Sequence, residues 1–184
     1  AIFSDGMVMQ QQTKANLWGT ATPNKKITVT TGWNGKQYVA TADKNGAWKL
    51  SVSTPEAGGP YSITFNDGSK KTLNNILIGE LWLCSGQSNM EMPMKGFKNQ
   101  PVENANMDIL RSKNPNIRLF TVKRTSTFTP QTDVVGTWKE ATPANVRDFS
   151  ATAYYFGRLI NEIRDVPVGL VVAAWGGSAC EAWM

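Results

Sequence analysis

Apolar and polar residues alternate through the first 75 positions. Ile27-Thr28-Val29-Thr30 and Tyr61-Ser62-Ile63-Thr64-Phe65 each place apolar side chains on one face and polar ones on the other, the period-two signature of a half-buried strand. Further strands are predicted at 15–18, 26–31, 37–41 and 47–52, separated by Thr22-Pro23-Asn24, Asn34-Gly35 and Asn45-Gly46. The two Asn-Gly pairs supply the positive φ angles that two-residue hairpins require. Residues 1–75 therefore read as a small antiparallel β-sandwich.

From residue 76 the pattern changes to continuous apolar runs at 76–84, 117–122 and 168–175, as expected of parallel strands covered on both faces. Between the last two runs, Phe149, Ala153, Phe156, Ile160 and Ile163 recur at helical spacing behind Ser150, a good N-cap, with Pro167 just past the predicted end. A shorter helix is predicted over 102–113, after a Pro- and Gly-interrupted loop at 92–101. The fold class is therefore α/β: a β-sandwich over 1–75, then the first part of a parallel-sheet domain over 76–184. A doubly wound sheet of only three strands would leave an apolar edge bare, so the chain is expected to be the N-terminal part of a longer protein.

A length of 184 residues, 41% of them hydrophobic and 18% charged, suits one large or two small globular domains. No apolar run reaches the roughly 18 residues that a membrane span needs, and the N-terminus lacks the basic and apolar parts of a signal peptide, so a soluble, processed polypeptide is expected. The net charge of +5 would suit a binder of nucleic acid or of an acidic sugar if it were clustered. It is spread instead: eight lysines against four acids in 1–75, and eleven cations against ten acids in 76–184. Lys25-Lys26 and Lys70-Lys71 read as solvated turn and edge charges, so no nucleic-acid partner is expected. Cys84 and Cys180 have no metal-ligand spacing. Cys84 reads as a small buried hydrophobe, and a bridge to Cys180 stays conceivable if their strands are neighbours.

The chemistry concentrates at Ile76 to Met90, ILIGELWLCSGQSNM, where an apolar strand stops at Gly86 and presents Ser88 at the carboxyl end of a parallel sheet. A helix after it would turn its first amides toward an oxyanion formed by attack of Ser88 on a carbonyl. The competing reading is that Ser88 and Asn89 only cap that helix. Met90 stands where the Gly-x-Ser-x-Gly elbow has its second glycine, which argues against a lipase-type site. Gly176-Gly177-Ser178 ends the last strand with residues that permit close approach of backbone and ligand. Gln87 and Asn89 either donate to an acyl oxygen or hold the turn. Glu181 reads as a helix-start carboxylate with at most a supporting role, and Glu80 as a turn or interface residue. Trp175 and Trp183 could stack on a sugar or simply pack, and Trp18, Trp33 and Trp48 could form a platform or fill the sandwich core. The chain contains no histidine, so a base for Ser88 must come from outside it.

Gly86-Gln87-Ser88-Asn89-Met90 resembles the first block of the SGNH hydrolases, and GELWLCSGQSNMEMPM resembles the sialate O-acetylesterase branch. The resemblance extends to Phe3-Ser4-Asp5-Gly6-Met7-Val8-Met9-Gln10 with Trp18-Gly19-Thr20-Ala21, to Phe149 through Gly157, and to VPVGLVVAAWGGSACEAWM as the second block. It implies a three-layer α/β/α domain in which the 168–175 strand lies beside the one carrying Ser88. It further implies an oxyanion hole from the amides of Ser88 and Gly177, with Gly176 alongside, an Asp-x-x-His block near the far C-terminus supplying the base, and an Asn from a third block. The implied reaction is removal of an acetyl group from an O-acetylated sugar, 9-O-acetyl sialic acid first, through an acetyl-Ser88 intermediate. No metal or organic cofactor is implied. The C-terminal remainder is the implied partner, and the location is periplasmic or secreted, or lysosomal in a eukaryote. Acetylxylan or another polysaccharide is the alternative substrate. A sugar-binding module on a decayed hydrolase is the alternative class.

Overall fold

The computed structural model describes residues 1–179 and 181. The alternating segments fold as β1 (Val8–Gln10), β2 (Lys14–Thr20), β3 (Lys26–Thr31), β4 (Gln37–Thr41), β5 (Ala47–Ser53) and β6 (Gly58–Asn66). They are followed by β7 (Lys70–Gly86), α1 (Ser88–Glu91), α2 (Ala105–Leu110), β8 (Asn114–Thr121), β9 (Trp138–Ala141), α3 (Pro143–Val146), α4 (Ala151–Arg164) and β10 (Val168–Ala174). β2 and β5 pair antiparallel as a small sheet. The other strands form one mixed sheet in the order β4-β3-β6-β7-β10-β8-β9, with β1 added in parallel to β7. The protein is thus mixed α/β, as the two hydrophobic periods predict.

The expected boundary at residue 75 falls inside a continuous 17-residue strand. β7 pairs with β6 from Lys70 to Ile78 and with β10 from Glu80 onward, and Asn75, at φ 56°, sits at a register shift within the β6-paired stretch. One apolar cluster fills the sandwich, with Leu17, Val29, Val52, Ile63 and Ile76 all buried, and runs on beneath Phe120 and Val171 on one face of the parallel strands. A second cluster, including Met94, Ile117, Tyr154 and Leu170, lies under the helices on the other face. Arg118, only 3% exposed, ties the parts together. It donates to Pro115 O at 2.7 Å, to Asn75 Oδ1 at 3.0 Å and to Gly6 O at 3.3 Å, and it faces Glu140 at 3.4 Å.

Several local expectations need correction. Neither Asn-Gly pair makes a two-residue hairpin. Asn34-Gly35 sits in a five-residue connection between β3 and β4, closed by Thr31 donating to Asn34 Oδ1 at 2.7 Å. Asn45-Gly46 carries the chain from β4 to β5, which lie in different sheets. The helix expected at 102–113 is limited to Ala105–Leu110, entered through a left-handed Asn104. Ser150 caps α4 as expected, accepting from Ala153 N at 3.2 Å. The buried face of α4, however, is Ala153, Tyr154 and Gly157, while Phe156 and Ile163 are 37% and 71% exposed. Small residues win this contact because the helix packs so closely that a Cβ on Gly157 would lie 2.6 Å from Leu170 Cδ1.

Candidate active site

β7 and β10 run parallel in register from Glu80↔Val168 to Gly86↔Ala174, so they finish side by side. Trp175 N donates to Gly86 O at 3.1 Å just past their ends. The two loops that follow, 87–91 and 175–178, therefore meet at the carboxyl edge of the sheet, where open α/β sheets place ligands. Every strand residue between is set by that register, and the sequence reaches it through the apolar runs 76–84 and 168–175.

Ser88 is the first residue of the single-turn helix α1 and is exposed. Gln87 occupies the N-cap position without capping by its side chain; its amide donates instead to Ser178 O, fastening the two loops. The capping reading of Ser88 and Asn89 thus does not describe this turn. The Ser88 hydroxyl has no hydrogen-bond partner among the described residues, and neither do the backbone amides of Ser88 and Gly177. Gly177 sits at φ +76°, and among the described residues beyond its chain neighbours no atom lies within 4 Å of the place a Cβ would take. Asn89 is anchored through its backbone, its carbonyl accepting from Thr152 Oγ1 at 3.0 Å.

The Gly176 amide is committed elsewhere: it donates to a Glu91 carboxylate oxygen, and Arg124 pairs with the other oxygen. Gly176 also abuts the nucleophile candidate, since a Cβ there would stand 3.4 Å from both Ser88 Cα and Cβ and 2.8 Å from Glu91 Oε2. Glu91 and Arg124 escaped the sequence reading. Glu91 lies one helical turn past Ser88, a spacing that hints at a shared face, whereas nothing local links Arg124 to a residue 33 positions away.

Glu80 lies at the opposite end of the parallel stretch. It accepts from Gln11 Nε2 at 2.9 Å and Gln10 Nε2 at 3.3 Å and faces Arg164 at 3.7 Å, so it is an interface residue. Burial pushes the Cys84 thiol up, as suits a small core residue. Trp175 is 40% exposed and Glu181 is exposed, while Cys180 and Trp183 lie outside the described residues.

A serine whose hydroxyl and amide have no partner among the described residues thus stands against a glycine loop from the neighbouring parallel strand, at the ligand-binding edge of an α/β sheet. The chain belongs to the carbohydrate esterase family of sialic acid-specific acetylesterases, whose profile matches residues 78–184. It is 27% identical to the sialate O-acetylesterases of Homo sapiens and Pongo abelii, over 99% of this chain and 37% of each relative. The crystal structure of a carbohydrate acetylesterase from Xanthomonas citri superposes with a TM-score of 0.91 and 34% identity, over 100% of this chain and 41% of that one. The chain thus spans well under half the length of the proteins it matches.

Proposed function

We propose that the full-length protein is a serine esterase that removes O-acetyl groups from sugars, with Ser88 as nucleophile. The observation that carries this is the exposed, unpartnered Ser88 hydroxyl beside the 176–178 loop, in a chain of acetylesterase membership. In the first step Ser88 Oγ bonds to the acetyl carbonyl carbon while a base takes its proton. The carbonyl oxygen gains negative charge next to the free amides of Ser88 and Gly177. Collapse breaks the bond to the sugar oxygen, which leaves with a proton returned from the base, and water then hydrolyses acetyl-Ser88 by the same route. The base is a histidine of the remainder of the protein. Gly176 serves by holding its neighbour's amide in place through Glu91 rather than by donating to the substrate.

The remainder is expected to dock along β7. No described strand pairs with the edge of residues 80–86 facing away from β10, and Trp82 and Leu83 stand 41% and 70% exposed there. This arrangement predicts that the fragment alone is inactive. A non-cytoplasmic location accords with the family's sugar chemistry.

O-acetyl sialic acid is the leading substrate, by the names of the curated relatives. A second reading, an O-acetylated carbohydrate other than a sialic acid, with acetylxylan as its test substrate, rests on the 34% identity to a structure described as a carbohydrate acetylesterase, against 27% to the human sialate O-acetylesterase. Acetate release from 9-O-acetyl sialic acid and from acetylated xylan by the full-length enzyme decides between them. On whichever is cleaved, Ser88→Ala should lower turnover by about 10⁴-fold or more. Unchanged activity would refute the assignment, and sugar binding without any turnover would favour the decayed-hydrolase module.

A further inference from the structure

At the end of the sandwich far from Ser88, the two sheets splay around a cleft of about 730 Å³, within the range of small-molecule sites. Its floor is apolar, formed by buried Ile27 and Leu73, and its walls are aromatic, formed by Phe3, Trp18, Trp48 and Phe65. Phe3 meets Trp18 edge-on at 4.5 Å, which leaves Trp18 45% exposed. The Trp48 indole lies against β2 because residue 19 is glycine: a Cβ there would stand 3.0 Å from Cζ2 and 3.2 Å from Nε1.

Two features mark this cleft as more than unfinished packing. Trp33 and Trp138 donate their indole N–H groups to Ser53 O and Ile2 O, at 3.0 and 2.8 Å. The indoles of Trp18 and Trp48, which line the cleft, have no acceptor among the described residues. The rim adds Thr20, Asp67, Ser69, Lys71 and Asp133. Lys71 has no ion-pair partner among the described residues, and Asp133 pairs with the N-terminal ammonium at 2.6 Å. Aromatic walls with indole N–H groups unpaired among the described residues, ringed by hydroxyls and charged groups, complement a pyranose, which has an apolar C–H face and a belt of hydroxyls. With Asp67 and Asp133 against Lys71 at the rim, the cleft has no preference for an anionic sugar.

We propose that this cleft is a second carbohydrate site, separate from Ser88, that takes a neutral pyranose oligosaccharide. Lys71 and Leu73 stand at the start of β7 and Ser88 just beyond its end, so at about 3.3 Å per residue at most roughly 50 Å of strand, irregular at Asn75, separates Leu73 from Ser88. Holding one part of a polysaccharide in the cleft would raise the local concentration of the rest near the catalytic edge. The choice of a sugar rests on the family membership and not on the role of Ser88.

The test uses the full-length protein carrying Ser88→Ala, so that no turnover confuses binding. Xylohexaose, cellohexaose and, as an acidic comparison, sialyllactose are titrated by calorimetry and tryptophan fluorescence. At least one neutral hexaose should bind saturably, and Trp18→Ala should raise its Kd by about tenfold or more. Asp67→Asn, a smaller change, should weaken binding with the melting temperature preserved. In the Ser88 background, Trp18→Ala should leave hydrolysis of 4-nitrophenyl acetate unchanged. Absence of binding by both neutral sugars, a preference for sialyllactose, binding indifferent to both substitutions, or protection of Trp18 from N-bromosuccinimide by the protein's own remainder would each overturn the proposal. None of these outcomes bears on Ser88, whose role is read from acetate release.

Discussion

One turn of helix separates Ser88 from Glu91, and that turn brings the Glu91 carboxylate back over the loop following β10. The carboxylate accepts the Gly176 N–H and pairs with Arg124, so one side chain fixes the second loop relative to Ser88. Glu91→Gln keeps the size of the side chain and an acceptor oxygen but removes the charge. It should lower kcat about tenfold, through a displaced loop, with KM for a small ester changed much less. Gly176→Ala should act similarly and more strongly, because the new methyl crowds both Glu91 and Ser88. Unaltered kcat in both variants would remove the clamp from the account. At this scale the placement of Ser88 and the glycine pair at the sheet's carboxyl edge was legible, because a buried apolar strand that stops at a glycine delivers the next polar residues there. The sequence concealed which glycine amide is free, since that depends on Glu91 and Arg124 meeting across the fold.

Helices α2 and α4 are joined by a compact polar knot. Tyr155 donates to Asp108 Oδ2 at 2.7 Å and Arg158 to Asp108 Oδ1 at 2.8 Å. The Arg158 and Tyr155 hydrogen bonds hold the Asp108 carboxyl below its ordinary value, while burial, then the bond to Asp108, pushes the Tyr155 hydroxyl up to about 12. A carboxyl whose folded pKa is depressed stabilises the fold above its unfolded value of about 4, and the benefit is lost as pH falls through the folded value. Asp108→Asn should therefore cost about 1–2 kcal/mol at pH 7. The gap from the parent protein should narrow as the pH drops below about 4, read by urea unfolding at each pH. An equal gap at both ends of the titration would contradict this. The elements were legible where periodicity was strong, as in β3, β6, β10 and α4. The buried face of α4 was misread because Phe156 and Ile163 keep helical spacing, whereas the close contact with Leu170 falls at Gly157, where a Cβ would clash, and turns Ala153 and Tyr154 inward instead. Strand β9 and helix α3 are four residues each, too short to show a period.

Across the whole molecule, β7 is the shared member of the sandwich and the parallel sheet, and Arg118 links the chain segments around its midpoint. Replacing Arg118 with Met strands the carbonyls of Gly6 and Pro115 and the Asn75 amide. The expected loss is about 3 kcal/mol of stability, seen as a lower melting temperature of the full-length enzyme; a shift of less than a degree would show the cation to be dispensable. The change from alternating to continuous hydrophobicity was readable in the sequence, but the two-part division it suggested hides a strand that crosses it. The pattern changes just past residue 75 because the strand there gains parallel neighbours, first β1 at Leu77 and then β10 from Glu80. The central claim, that Ser88 carries the acetyl group, is tested most directly by acid-quenching the full-length enzyme during turnover of its O-acetylated sugar and mapping the peptides by mass. One acetyl group is expected on the peptide containing Ser88, absent from the Ser88→Ala variant. An enzyme that turns over rapidly yet never carries acetyl at that position, or carries it on another residue, would contradict it.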